Sequence, residues 1–319
     1  MPKFASVLVA AVLVPVAGCS AGGPDDSGQS ETPTRTVEHL FGSSDIPADP
    51  QRVVSVSVTS TASLLSLDVP VVASGTTAPS GLTDDSGFFA QWAEVAHERG
   101  VEALPGPEVD LEAVAAAEPD VIVGNGFGAD AVDEAAYDRL SQLAPTVVLG
   151  ESDTSWLELT EETAAVFGAE EAGAEVEREY ADLVEETSGR LDTGHDVVVL
   201  TGTPHGFNVF TEESALGGLV TDLGLTLHEF AEGEAVERAD RADTVEVAHE
   251  NASAFGDSTL LFVNTQDEAV EDYLETAPNL AETPAYREDR AFTLGAESFR
   301  MDHYSIPLVA ERLTEVLGD

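Results

Sequence analysis

The chain has 319 residues, 43% of them hydrophobic, with a mean hydropathy near zero, so it can bury a sizeable core as one large domain or two smaller ones. Thirteen lysines and arginines stand against 61 aspartates and glutamates, a formal net charge of −48, with Lys3 the only lysine. A surface this acidic repels nucleic acid and anionic lipid, which excludes a nucleic-acid partner, and it suits a protein kept soluble in high salt or outside the cell.

In chain order, Lys3 supplies a weak basic start, and Phe4 to Val16 is an apolar run too short to span a bilayer comfortably. Val16-Ala17-Gly18-Cys19 follows. Small residues before a cysteine resemble a bacterial lipobox, in which Cys19 is lipidated and becomes the mature N-terminus. The alternative is a chance cysteine after an ordinary signal peptide; either way a single cysteine excludes an internal disulfide. Residues 20–35 are rich in Gly, Ser, Pro and Asp, as in a flexible tether. Residues 36–168 then alternate short apolar strands (53–58, 71–75, 121–124, 146–150) with helices (59–67, 88–100, 107–118, 129–144, 156–167).

The stretch 169–191 reads as one helix of roughly 35 Å. Ala172, Val176, Tyr180, Leu183 and Thr187 form its apolar stripe, and acids fill the other faces. It is expected to act as a spine between two α/β lobes; the other reading is a surface helix of a single α/β domain. Residues 192–319 repeat the plan. Strands are expected at 197–202, 208–210, 259–263 and 291–295, with helices at 213–224 and 271–278 and a last helix from Ser305, where Pro307 fits the first turn. A weak internal repeat supports two related lobes. DLEAVAAAEPDVIV answers AHENASAFGDSTLLFV, which puts Glu112 and Glu250 in matching positions.

Gly124-Asn125-Gly126-Phe127-Gly128-Ala129 follows a strand and fits G-x-G-x-x-A, with Glu151 further on. It lies outside the first strand–helix unit of its lobe, and an exported chain meets no nucleotide pool. The glycines are therefore read as letting a loop, with Asn125, approach a ligand cleft. No G-x-S-x-G, H-E-x-x-H or converging metal-ligand spacing occurs, and the seven histidines are scattered. Ser298-Phe299-Arg300-Met301-Asp302-His303-Tyr304-Ser305 stands out more. A scarce arginine follows an aromatic between a strand and a helix, where ligands of α/β folds sit. The competing reading has Arg300 paired with Asp302 or Glu297, only holding the loop.

In QRVVSVSVTSTASLLSLDVPVVASGTTAP, DDSGFFAQWAEVAHERG, PHGFNVFTEESA and TLGAESFRMDHYS the chain resembles the substrate-binding proteins of iron-siderophore ABC importers, most closely periplasmic ferric-enterobactin binding proteins. The resemblance runs from about Gln51 to Leu317. It implies two Rossmann-like α/β lobes joined by a single long connecting helix, the class III periplasmic-binding-protein fold. Together with the lipobox at Cys19 it points to a monomeric lipoprotein, not an enzyme, held at the cell membrane by its lipid alone. Such a protein has no intrinsic cofactor and no directly bound metal. Its ligand is a ferric catecholate siderophore, delivered to ABC permease and ATPase subunits. The resemblance puts the permease-docking glutamates at Glu112 and Glu250 and a cleft cation at Arg300. Phe210 and Trp92 are expected to pack on the catecholate rings, with Thr59, Asn125, His205, His303 and Tyr304 as further ligand contacts. Two departures stand out: Phe210 replaces a tryptophan, and the loop PSGLTDD (79–85) lacks an arginine. Cobalamin, haem or a hydroxamate siderophore on the same fold, and a secreted α/β enzyme using the Gly124 loop, remain as alternatives.

Overall fold

The computed structural model describes residues 33–151, 154–191, 194–238, 241–264 and 268–318. The expected signal peptide, Cys19 and all but the end of the tether lie outside the described residues. The end of the tether is strand rather than linker. β1 (Thr34–His39) pairs antiparallel with β2 (Gly42–Pro47). Only Val37 and Ile46 are buried in this hairpin, too sparse an alternation to read from sequence. Pairing and two anchors hold it instead: the Arg35 guanidinium donates to the Ala48 carbonyl (2.9 Å), and the Leu40 N–H donates to the Val148 carbonyl (3.0 Å).

A regular alternation follows: β3 (Val53–Ser55), α1 (Val58–Ser66), β4 (Val71–Ser74), α2 (Ala90–Glu98), β5 (Glu102–Ala103), α3 (Leu111–Ala116), β6 (Val121–Asn125), α4 (Glu134–Leu140) and β7 (Thr146–Leu149). The five strands form a parallel sheet in the order β5-β4-β3-β6-β7. β3, β6 and β7 are buried on both faces, which explains their unbroken Val/Ile runs. Val53, Val121, Val123 and Val147 feed one core; Val54, Ile122 and Val148 feed the other. Strand order reverses between β3 and β6, the point beyond whose carboxyl ends open α/β sheets bind ligands.

α5 (Trp156–Phe167) opens with a reciprocal Ser155/Glu158 capping box and ends at Gly168, whose φ of 67° is left-handed. α6 (Glu170–Ser188) is the predicted spine, about 28 Å long. Its start, with Ala169 and Ala172, packs on the N-terminal core; Tyr180, Leu183 and Val184 pack on the C-terminal core.

The second half contains β8 (Val197–Thr203), β9 (Gly206–Phe210), α7 (Ala215–Asp222), β10 (Val236–Glu237), β11 (Thr244–Ala248), β12 (Thr259–Phe262), α8 (Pro284–Arg287), β13 (Ala291–Thr293) and α9 (Ser305–Leu317). Its sheet has the order β10-β11-β9-β8-β12-β13. β8, β12 and β13 are parallel, while β9 to β11 add an antiparallel edge. The stretch around Tyr273 expected as a helix is a 3₁₀ segment, Val270–Glu275. The fold is mixed α/β with two such sheets, as the strand–helix alternation implies. Among the described residues no helix is long and apolar enough to cross a membrane.

Candidate functional site

The strand-order reversal between β3 and β6 is filled by the chain's own side chains. The Ser57 hydroxyl accepts from the Asn125 N–H (3.0 Å) and donates to the Asp130 carbonyl (2.7 Å). The Asp130 carboxylate accepts from the Thr59 N–H (2.9 Å) and hydroxyl (3.0 Å). The amino end of α1, where an anion would otherwise settle, thus already holds a carboxylate. Thr59 has both of its donors engaged. Asn125 is fully buried, and its amide closes the glycine turn onto the Phe127 carbonyl, so it offers a ligand no accessible group. The glycines answer to packing: a Cβ at Gly126 would strike the Gly150 carbonyl and Leu40, and one at Gly124 would strike Val132. The loop does not open a helix either, since α4 begins only at Glu134 behind its cap Asp133. A dinucleotide-binding turn needs that helix end.

The second cluster joins the two halves. After β13 a 3₁₀ turn, Ala296–Phe299, ends in extended Arg300. The Arg300 guanidinium carbon lies 5.9 Å from the Phe89 ring centroid and 5.6 Å from that of Phe299, within cation–π range. Phe89 is 6% exposed and precedes α2; Phe299 is 40% exposed. Arg300 Nε is buried without a hydrogen-bond partner, and among the described residues the guanidinium makes no ion pair. Arg300 therefore pairs with neither Asp302 nor Glu297. The Asp302 carboxylate instead accepts from the Tyr304 and Ser305 N–H groups (2.9 Å each), at the start of α9, and from Gln91 Nε2 of α2 (3.0 Å). Burial pushes the Asp302 carboxyl up to about 6 against these hydrogen bonds.

His303 and Tyr304 flank this cluster. Tyr304 packs on the N-terminal core, and burial pushes its hydroxyl up to about 12. His303 stacks edge-on against it at 5.0 Å and lies 3.7 Å from Glu179 of the spine; burial lowers its pKa. Trp92 does not face a ligand. It is fully buried, packed on Phe88 (5.2 Å) and Phe89 (6.3 Å), because the inward face of α2 carries 89, 92, 93 and 96. Phe210, half-buried at the end of β9, packs on the C-terminal core, and His205 sits on the β8–β9 turn. Among the described residues the rings facing Arg300 are Phe89 and Phe299, not Trp92 or Phe210. Phe299 was legible as an aromatic beside the arginine; Gln91 carried no signal.

The loop where relatives carry an arginine is pinned here by an acid. Burial pushes the Asp84 carboxyl up, but hydrogen bonds from His97 (2.6 Å), Phe88 N–H and Ser86 N–H outweigh it and hold it below the usual range. Glu112 and Glu250 are both exposed in the first helical turn before β6 and β12, the strands that flank β3 and β8. A cavity of about 640 Å³ lies away from Arg300, between β1, the end of β7 and α5.

A model of the periplasmic binding protein family matches residues 53–298. The ferric enterobactin-binding periplasmic protein FepB of Escherichia coli O6:H1 is 36% identical over 287 residues, 88% of this chain and 89% of its own. The probable siderophore-binding lipoprotein YfiY of Bacillus subtilis is 28% identical over 221 residues, 68% of this chain and 65% of its own. The crystal structure of holo-ViuP superposes with a TM-score of 0.76 at 26% identity, covering 89% of this chain and 95% of that one. With two sheets bridged by one long helix and a family match across most of its length, the chain belongs to the periplasmic binding protein family.

Proposed function

We propose that this chain is an extracytoplasmic, lipid-anchored, monomeric solute-binding protein. It captures a ferric catecholate siderophore and delivers it to an ABC permease, on which exposed Glu112 and Glu250 dock. The likeness to FepB supports the ligand class, and the likeness to YfiY supports the anchor at Cys19. The observation that carries the reading is Arg300. A guanidinium held between two aromatic rings, without a carboxylate in a chain of 61 acids, is poised for an external anion. Its planar fork suits the paired oxygens of a catecholate complex of about −3 charge, and the exposed Phe299 ring offers a face to a catecholate ring.

A second reading has its own observation. Asp130 fills the amino end of α1 and the 79–85 loop carries no base, so Arg300 meets the ligand without a cation from that loop. A ferric hydroxamate, less negatively charged, fits such a site as well. Intrinsic fluorescence titration with ferric enterobactin, a ferric hydroxamate, cobalamin and haem separates these readings. Tightest binding of ferric enterobactin is expected; preference for cobalamin or haem would overturn the siderophore assignment.

A further inference from the structure

Arg300 has an acidic residue two positions away and nevertheless makes no ion pair. The reason lies on the other side of the lobe junction. Asp302 Oδ1 accepts both N–H groups at the start of α9, and Oδ2 accepts Gln91 Nε2 at 3.0 Å. The same Gln91 nitrogen lies 3.4 Å from the Arg300 carbonyl oxygen. One amide with two hydrogens thus holds both the backbone of Arg300 and the one Asp302 oxygen not tied to α9. Asp302 is further fixed from its own side, where its N–H donates to Ser305 Oγ at 2.8 Å. The aspartate is turned toward α2, while the guanidinium faces Phe89 and Phe299.

We propose that Gln91 is a positioning residue of the ligand site: by holding the Asp302 carboxylate and the Arg300 carbonyl from the opposite lobe, it prevents an Arg300–Asp302 ion pair and leaves the guanidinium to the ligand. Truncating Gln91 leaves Asp302 Oδ2 desolvated and unpartnered. A carboxylate in that state draws in a cation, and Arg300 stands two positions away in the chain. The site then loses its ligand affinity without losing its arginine. The inference rests on the reading of Arg300 as the ligand-binding cation.

The test measures ferric enterobactin affinity of the full-length chain by tryptophan fluorescence, with melting curves to confirm folding. R300A and Q91A are each expected to weaken binding by about tenfold or more. The double variant Q91A/D302N is expected to recover to within about threefold of the parent. Asparagine at 302 still accepts from α9 but no longer attracts the guanidinium. Loss of affinity in R300A with unchanged affinity in Q91A would overturn the role of Gln91 and leave the Arg300 reading standing. Unchanged affinity in R300A would overturn both. Failure of D302N to restore Q91A would show that Gln91 merely supports the fold.

Discussion

Arg300 is defined as much by what it lacks as by what it touches. Every other partly buried arginine among the described residues has a carboxylate or carbonyl partner: Arg35 on Ala48, Arg238 on Glu246, Arg290 on Asp257, Arg312 on Thr293 and Glu315. Arg300→Ala is therefore expected to weaken ferric enterobactin binding by about 1.5–3 kcal/mol, the range for a hydrogen bond to a charged group, with only a small fall in melting temperature, because it removes the two cation–π contacts but no ion pair. Arg300→Lys recovers part of the affinity, since a lysine meets the ligand as a point charge. A lowered melting point with affinity preserved in the folded fraction would show the arginine to be structural. Asp302 gives a second test. Its folded carboxyl sits near 6, above the usual 3.8, so between those values the folded state binds more protons than the unfolded one. Stability from this group is fully present below about pH 4 and is lost as pH rises through about 6, by roughly 3 kcal/mol. Asp302→Asn, with no proton to exchange, should flatten that part of the stability profile measured by denaturant unfolding; an unchanged profile would place the proton elsewhere. Arg300 was legible in the sequence because cations are so rare there. Its partners were not: Phe89 and Gln91 lie more than two hundred residues upstream, and no local pattern records a contact across a lobe junction.

At the level of elements, periodicity served where one face packs on a core and failed where pairing or capping decides. α6 was legible from its stripe, and the structure divides that stripe between two cores, as a connecting helix requires. The β1–β2 hairpin was not, because polar strands such as GSSDIP are held by their partner and by Arg35. The helix expected over 107–118 shrank to α3 because Asp110 caps it, accepting from the Glu112 and Ala113 N–H groups (2.9 and 3.2 Å). That cap leaves Glu112 on the first turn, exposed; Glu250 has the same place in its 3₁₀ segment, in the other half. Neither side chain has a partner among the described residues, so reversing the charge to lysine costs little folding stability. Charge reversal at either position is expected to abolish siderophore uptake by cells while ferric enterobactin affinity stays within about twofold. If binding falls as far as uptake, the residue belongs to the ligand site instead.

The two-sheet plan was legible at the scale of the whole molecule because buried parallel strands announce themselves as apolar runs. The antiparallel edge β9–β11 was only half visible, its strands being short and partly exposed. Charge acts at this scale too. With 61 acids and 13 bases, most carboxylates have no basic partner, and several of the ion pairs present are exposed, such as Arg178–Glu175 and Arg190–Glu186. Exposed pairs of that kind contribute at most about 1 kcal/mol each. Salt therefore screens far more repulsion than attraction as the Debye length falls from about 10 Å at 0.1 M to about 3 Å at 1 M. Raising sodium chloride over that range should raise the melting temperature, each 1 kcal/mol of relieved repulsion appearing as roughly 2–4 °C. The same screening bears on capture of an anionic ferric complex. Arg300 attracts it at contact, but the approach is governed by the net charge of −48. The association rate of ferric enterobactin, measured by stopped-flow fluorescence, should consequently rise with salt. The dissociation rate should rise as well, because the contact with Arg300 is also weakened. An association rate that falls with salt would mean that local positive potential at the cleft outweighs the acidic surface, and would require further cations near the ligand beside Arg300.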